Sequence, residues 1–252
     1  MLASLRFERG PRMSAAPYDE LRRAELVVNL SAVRRRIATA CSEAGRDADE
    51  VSLTVVTKFF PPEDLRLLAE LGVTDVGENR HQEAEAKAAA CRDLGLRWHF
   101  IGGLQSNKAA AVASYADVVE SVDRVRLVPG LQRGAHDRSH PVDCLVQVSL
   151  DPPDRHRGRA GAGAREVPAI AAAIASSGML RLRGVMAVAP LGLDPAPAFE
   201  RLAQIAADLR IGYPDATWIS SGMSGDLEAA IRYGATHVRV GSAVLGQRPG
   251  IK

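Results

Sequence analysis

The sequence predicts an α/β protein built as a single (β/α)8 barrel, and three observations carry that prediction. Short β-branched runs alternate with Ala/Leu/Glu-rich amphipathic stretches about eight times, no change of composition divides the series, and 252 residues match the length of one such barrel. Several runs, such as Cys144–Val148 and Val185–Val188, are almost continuously apolar, which suits parallel strands covered on both faces.

Taken in order, the strand candidates are Val51–Lys58, Asp75–Asn79, Trp98–Gly102, Val118–Asp123, Asp143–Leu150, Leu182–Ala189, Thr217–Gly222 and His237–Leu245. A long amphipathic segment, Asp19–Glu43, precedes the first strand. Pro62–Leu71 opens on proline and two acids, as a helix N-terminus should, and stops at Gly72. Asn79–Arg92 is Ala- and Glu-rich, Ala196–Leu209 follows, and Ser224–Tyr233 ends before Gly234, a suitable C′ glycine. Nothing after the last strand reads as helical, so the first helix is expected to cover the place of a missing final one. The main competitor, an open doubly wound sheet, wants a glycine-rich turn after its first strand; Lys58-Phe59-Phe60-Pro61-Pro62 stands there instead.

Composition sets bounds on function. With 32 basic against 30 acidic residues, no general electrostatic reason points to nucleic acid or an acidic membrane. No apolar run reaches the ~18 residues of a membrane span. Cys41, Cys91 and Cys144 lie far apart without metal-ligand spacing, which reads as buried thiols in a reducing, cytoplasmic setting. Residues 1–16 are basic and broken by Glu8, Gly10 and Pro11, so a disordered leader is expected there, followed by one barrel domain over 17–252, acting as a monomer. One long connection, Asp151–Glu166, follows the fifth strand and is rich in Gly and Arg. It reads as a mobile loop at the ligand face or as a plain surface loop.

Four places carry chemistry. Lys58 closes an apolar strand at the barrel mouth, where desolvation favours a neutral amine that attacks carbonyls, although a lysine merely reaching for solvent fits too. Ser220-Ser221-Gly222-Met223-Ser224 and Arg239-Val240-Gly241-Ser242 end the last two strands, the usual phosphate site of barrels, and a helix starting near Ser224 would add its positive end. The same serine also reads as a simple N-cap. Arg239 shares a strand face with Gly241 and so points inward, either toward a ligand or into a salt bridge of the barrel core. Polar residues also follow strands at Gly77-Glu78-Asn79-Arg80 and in Trp98–Lys108, while His99 reads as a satisfied core residue.

Together these segments resemble the pyridoxal phosphate homeostasis protein family from about Asp19 to Arg248. The resemblance rests on Val55-Val56-Thr57-Lys58, Gly77-Glu78-Asn79, Trp98–Lys108, Gly184-Val185-Met186-Ala187, Gly222–Ile231 and Arg239–Ala243, all in this order. It implies a barrel of the alanine racemase N-terminal type that holds pyridoxal 5'-phosphate (PLP) as an aldimine on Lys58. It places Asn79 by the cofactor ring, Ser220, Gly222, Gly241 and Ser242 at the phosphate, and Arg239 near the pyridine nitrogen or the phosphate. It implies a role in buffering, carrying or delivering the vitamin B6 cofactor, with apo PLP-dependent enzymes as recipients and no established reaction. Ser221, Gly103 and Phe59-Phe60 depart from the common pattern, at pocket edges.

The alternatives are a PLP-dependent amino-acid racemase and a Schiff-base aldolase. A racemase needs a second acid/base group opposite the lysine. The four tyrosines, Tyr18, Tyr115, Tyr213 and Tyr233, all fall in helices or at their ends, and no second domain is expected beyond the eighth strand. No catalytic residue and no metal ligand is assigned. An aldolase would need Glu78 or Asp123 near Lys58.

Overall fold

A computed structural model describes residues 15–152 and 160–247. Within them the chain runs α1 (Ala15–Glu43), β1 (Ser52–Val56), α2 (Pro62–Glu70), β2 (Asp75–Glu78), α3 (His81–Ala90), β3 (Arg97–Phe100), α4 (Ala109–Tyr115), β4 (Val118–Val122), α5 (Val128–Ala135), β5 (Val142–Gln147), α6 (Val167–Ala175), β6 (Leu180–Met186), α7 (Ala196–Gly212), β7 (Trp218–Ser220), α8 (Leu227–Arg232), β8 (His237–Val240) and α9 (Ser242–Leu245). The eight strands form a closed parallel barrel in sequence order. Closure is made by β1, which pairs Val55 with Val76 of β2 and Leu53 with Val238 of β8.

The expected leader lies outside the described residues except for Ala15 and Ala16, which already begin α1. Pro17 stands in the first turn of that helix, where a missing N–H breaks no intrahelical bond. A stripe of Leu26, Leu30, Val33, Ile37, Ala40 and Cys41 is buried at helical spacing. It packs into one of two apolar layers that separate barrel from helices, together with Val238, Val240, Val244 and Leu245.

Two terminal readings need correction. The last strand stops at Val240 instead of running to Leu245, and a helix does follow it, the four-residue α9. Gly241 breaks the strand, and helical spacing then buries both Val244 and Leu245, which strand alternation could not do on one face. Helix α1 still covers this side, because α9 is too short to do so. Helix α8 starts at Leu227 instead of Ser224, and Asp226 takes the cap position. The Asp226 carboxylate accepts the Met223 amide at 2.6 Å, which holds 223–226 as a turn outside the helix.

The barrel interior is unusually polar. Val118, Leu145 and Met186 form a small apolar cluster there, and above and beside it runs a hydrogen-bonded chain. Asp75 contacts His99 at 2.8 Å, His99 contacts Glu120 at 2.7 Å, Glu120 accepts the Ser220 hydroxyl at 2.6 Å, and Arg239 donates to Ser220 at 2.6 Å. Charges alternate along it. Burial opposes a charge on His99, but its two carboxylates outweigh that and raise its pKa. Burial likewise opposes charge on Glu120, yet His99 and Arg239 hold its pKa down at about 2. His99 is thus a satisfied core residue, in keeping with its reading from sequence.

His237 differs. Burial lowers its pKa to about 4, so it stays neutral in the folded barrel, 4.3 Å from the Trp218 ring. In the unfolded chain it titrates near 6.5. Below that pH the unfolded state takes up a proton the folded state refuses, so stability falls as pH drops from about 6.5 toward 4. His237→Gln is expected to flatten this slope, read as the urea midpoint against pH; an unchanged slope would contradict the assignment.

Candidate functional site

Strand β1 ends at Val56, and Lys58 lies two residues beyond it in a turn, not on the strand as the sequence pattern had it. The reason is the next residue: Phe59 has φ +73°, a left-handed backbone that a strand cannot continue and that bulky residues rarely adopt. Its amide donates to Glu83 Oε1 at 2.5 Å, and Arg80 lies 4.9 Å from its ring.

Beneath this turn sits a buried ammonium. Lys87 Nζ donates to the Thr57 carbonyl at 2.8 Å, to Glu78 Oε1 at 2.7 Å and to Glu83 Oε1 at 2.6 Å. The Thr57 hydroxyl closes the ring by donating to Glu78 at 2.7 Å. Backbone atoms on both sides of Lys58 are therefore bound to one cluster. Burial pushes the Glu78 pKa up, against the pull of Lys87 and Thr57. Neither Lys87 nor Glu83 was singled out from sequence, although their i,i+4 spacing on a helix was readable.

Lys58 lines a cavity of about 350 Å³ at the C-terminal end of the barrel. Arg239, Gly241 and Ser242 line it as well, with Val56, Phe60 and Ile101 as apolar walls and Met223, Ser224 and Gly225 on the far side. Four of the seven predicted site residues thus meet at one place. Glycine suits position 241, since a Cβ there would sit 3.2 Å from the Val56 carbonyl oxygen, a tight contact to which the backbone would have to yield. The amides of Ser224, Gly225, Ser242 and Ala243 point to no protein acceptor among the described residues. Such a group of free amides with a serine hydroxyl suits an anion.

The other three are placed differently. Asn79 follows β2 and does not line the cavity, but its Oδ1 is buried without a hydrogen-bond partner. Gly222 has φ +89° and packs against α8, where a Cβ would come within 2.6 Å of the Ala230 side chain, so it shapes the turn before Met223. Ser220 is fully buried, with its hydroxyl committed to Glu120 and Arg239. Arg239 joins the interior chain to the cavity. It donates to Ser220 and to the Ala187 carbonyl at 2.8 Å, and it lies 3.6 Å from Glu120.

The far side is braced from α1. Arg36 donates to the Ser224 carbonyl at 2.9 Å and pairs with Glu228; Asn29 donates to the Val244 carbonyl at 3.0 Å, and Arg22 to that of Leu245 at 3.1 Å. These braces were not legible in the sequence, since an arginine or asparagine on a helix carries no sign of the carbonyl it will meet. Residues 153–159, the middle of the Gly/Arg-rich connection, lie outside the described residues, while its end is anchored by a bridge between Val148 and Ala162. Among the described residues no cluster of His, Cys, Asp or Glu could hold a metal, and no helix is long and apolar enough to cross a membrane. Asp123 pairs with Arg124, and Glu78 is enclosed by Lys87, so neither stands in the cavity. None of the described tyrosine side chains lines it either.

The family described as "Alanine racemase, N-terminal domain" matches residues 28–249, and the chain belongs to it. Solved enzymes of this fold are distant: alanine racemase of Corynebacterium glutamicum is 17% identical at a TM-score of 0.59, and 88% of this chain covers 63% of that one. Closer relatives narrow the class to the pyridoxal phosphate homeostasis proteins. Two proteins so named, from Mycobacterium tuberculosis and Corynebacterium glutamicum, are 40% and 42% identical over 243 and 224 residues. The matches cover 90% and 86% of this chain and 94% and 99% of theirs. Among solved structures, PipY of Synechococcus elongatus with PLP bound is 34% identical at a TM-score of 0.73, covering 85% of this chain and 100% of that one.

The buried ammonium gives a direct test. Lys87→Met leaves the Glu78 carboxylate uncompensated and is expected to cost about 3–5 kcal/mol of stability in urea unfolding. Adding Glu78→Gln should recover part of that loss; no recovery would argue against a coupled pair.

Proposed function

We propose that this chain binds PLP in the cavity at the C-terminal end of the barrel, with Lys58 as the covalent attachment residue, and serves vitamin B6 homeostasis without a turnover of its own. The observation that carries the reading is the convergence of Lys58, the amides of Ser224, Gly225 and Ser242, and Arg239 on one apolar-walled cavity.

The residues divide the work. The turn held by Lys87 and Glu83 presents Lys58, and PLP, when bound, would supply an aldehyde for its amine. Gly241, Ser242, Ser224 and Gly225 hold the phosphate with amides and hydroxyls. Val56, Phe60 and Ile101 cover an aromatic ring. Ser220 and Gly222 act from behind: one fixes Arg239, the other shapes the phosphate turn. Arg239 is a permanent cation, which disfavours a second positive charge in the cavity and so weakens the electron withdrawal that catalysis on this cofactor requires. With no tyrosine side chain placed opposite Lys58 among those described, storage and delivery fit better than racemisation. Apo PLP-dependent enzymes are the recipients this role calls for.

Purified wild type and Lys58→Ala, each incubated with PLP and desalted, separate the outcomes. The visible absorbance band of a lysine-bound aldehyde cofactor is expected in wild type and absent in the variant. A band of equal strength in both would place the attachment elsewhere, and no band in either would remove the cofactor from the account.

A further inference from the structure

We propose that a second groove, beside the cofactor cavity, is the docking surface for the apo form of a PLP-dependent enzyme, a proposal that rests on the function given above. The groove encloses about 1110 Å³, roughly three times the cofactor cavity, and the two share Phe60 as a common wall. Its floor is apolar, made by Phe59, Phe60, Pro61 and Leu67, and Leu21 stands at its edge with 68% of its surface exposed.

The rim is acidic. Five acidic and two basic side chains line the groove, a net of three negative charges on a chain whose formal charge is +2. Both bases are neutralised within the rim, Arg22 by Glu25 and Asp64 and Lys87 by Glu83. Asp19 and Glu63 remain exposed on the two sides.

This field repels phosphate, so the groove does not retain the cofactor itself. It attracts a surface of the opposite sign, and an emptied PLP site is such a surface. A site built for a phosphate ester keeps its amide and cationic donors, and its lysine, when the ligand is gone. An apolar floor within a charged rim is also the anatomy of a transient interface, in which charge steers the encounter and the aromatic centre is desolvated. A second copy seated groove to groove would set acid against acid. Phe59 and Phe60 directly follow Lys58, so a partner on the floor touches the turn that carries the attachment point.

The test uses the full chain loaded with PLP, an aminotransferase stripped of its PLP as recipient, and two variants, Asp19→Lys/Glu63→Lys and Leu21→Arg, none of whose positions lines the cofactor cavity. Absorbance is recorded first, and a wild type that binds no cofactor would overturn the functional reading on which this one rests. Unassisted release is then followed by dilution into a phosphatase that consumes free PLP. The wild type is expected to reactivate the aminotransferase faster than it releases PLP, with a rate that falls as salt rises. The charge-reversed variant should reactivate it about tenfold more slowly with unassisted release unchanged. Reactivation no faster than release, or equal in wild type and both variants, would overturn the proposal. So would light scattering showing a wild-type dimer that Leu21→Arg dissociates, since the groove would then be a self-interface.

Discussion

A single buried ammonium organises the functional end of this barrel. Lys87 binds the carbonyl before Lys58 and two carboxylates, and one of those carboxylates takes the amide after Lys58. A lysine buried in this way is costly unless every donor is used. Here three oxygens use all three. The result is that a backbone turn with a left-handed phenylalanine, which would relax in isolation, is held in place, and Lys58, which that turn carries, lines the cavity.

The side of the cavity proposed to hold the phosphate follows a different logic. It has no helix of useful length behind it, since α8 and α9 span six and four residues. Its loops are steadied instead by side chains of α1 that bind the carbonyls of Ser224, Val244 and Leu245. The N-terminal helix is thus part of the site as well as of the core. The interior chain from Asp75 to Arg239 completes the picture by fixing a cation at the cavity floor with a buried counter-charge, Glu120.

The barrel was legible because several strands, such as Cys144–Val148 and Val185–Val188, are dense apolar runs and four connections carry helix signals, so the alternation survives errors of a few residues at any end. Its misread ends share a cause. Around Gly241, Asp226 and Lys58 the local pattern is overridden by a close backbone approach, by a carboxylate that caps a turn instead of a helix, and by the left-handed Phe59. In the site, Lys58, Arg239, Gly241 and Ser242 were readable because their residue types are out of place on apolar strands or fall in a known phosphate position. Lys87, Glu83, Arg36 and Asn29 were not, because a charged residue on a helix looks the same whether it meets solvent or a buried carbonyl. Glu120 lay between the two: a lone acid in Val118-Val119-Glu120-Ser121-Val122 marks an inward charge, but its partners come from three other strands.

The chain contains only four lysines, Lys58, Lys87, Lys108 and Lys252, which makes the central claim unusually open to test. The protein would be loaded with PLP, treated with borohydride to make any lysine attachment permanent, digested and mapped by mass spectrometry. The modification is expected on Lys58 alone, with Lys87 protected in its cluster. Modification on Lys87 or Lys108 with Lys58 unmodified would contradict the claim.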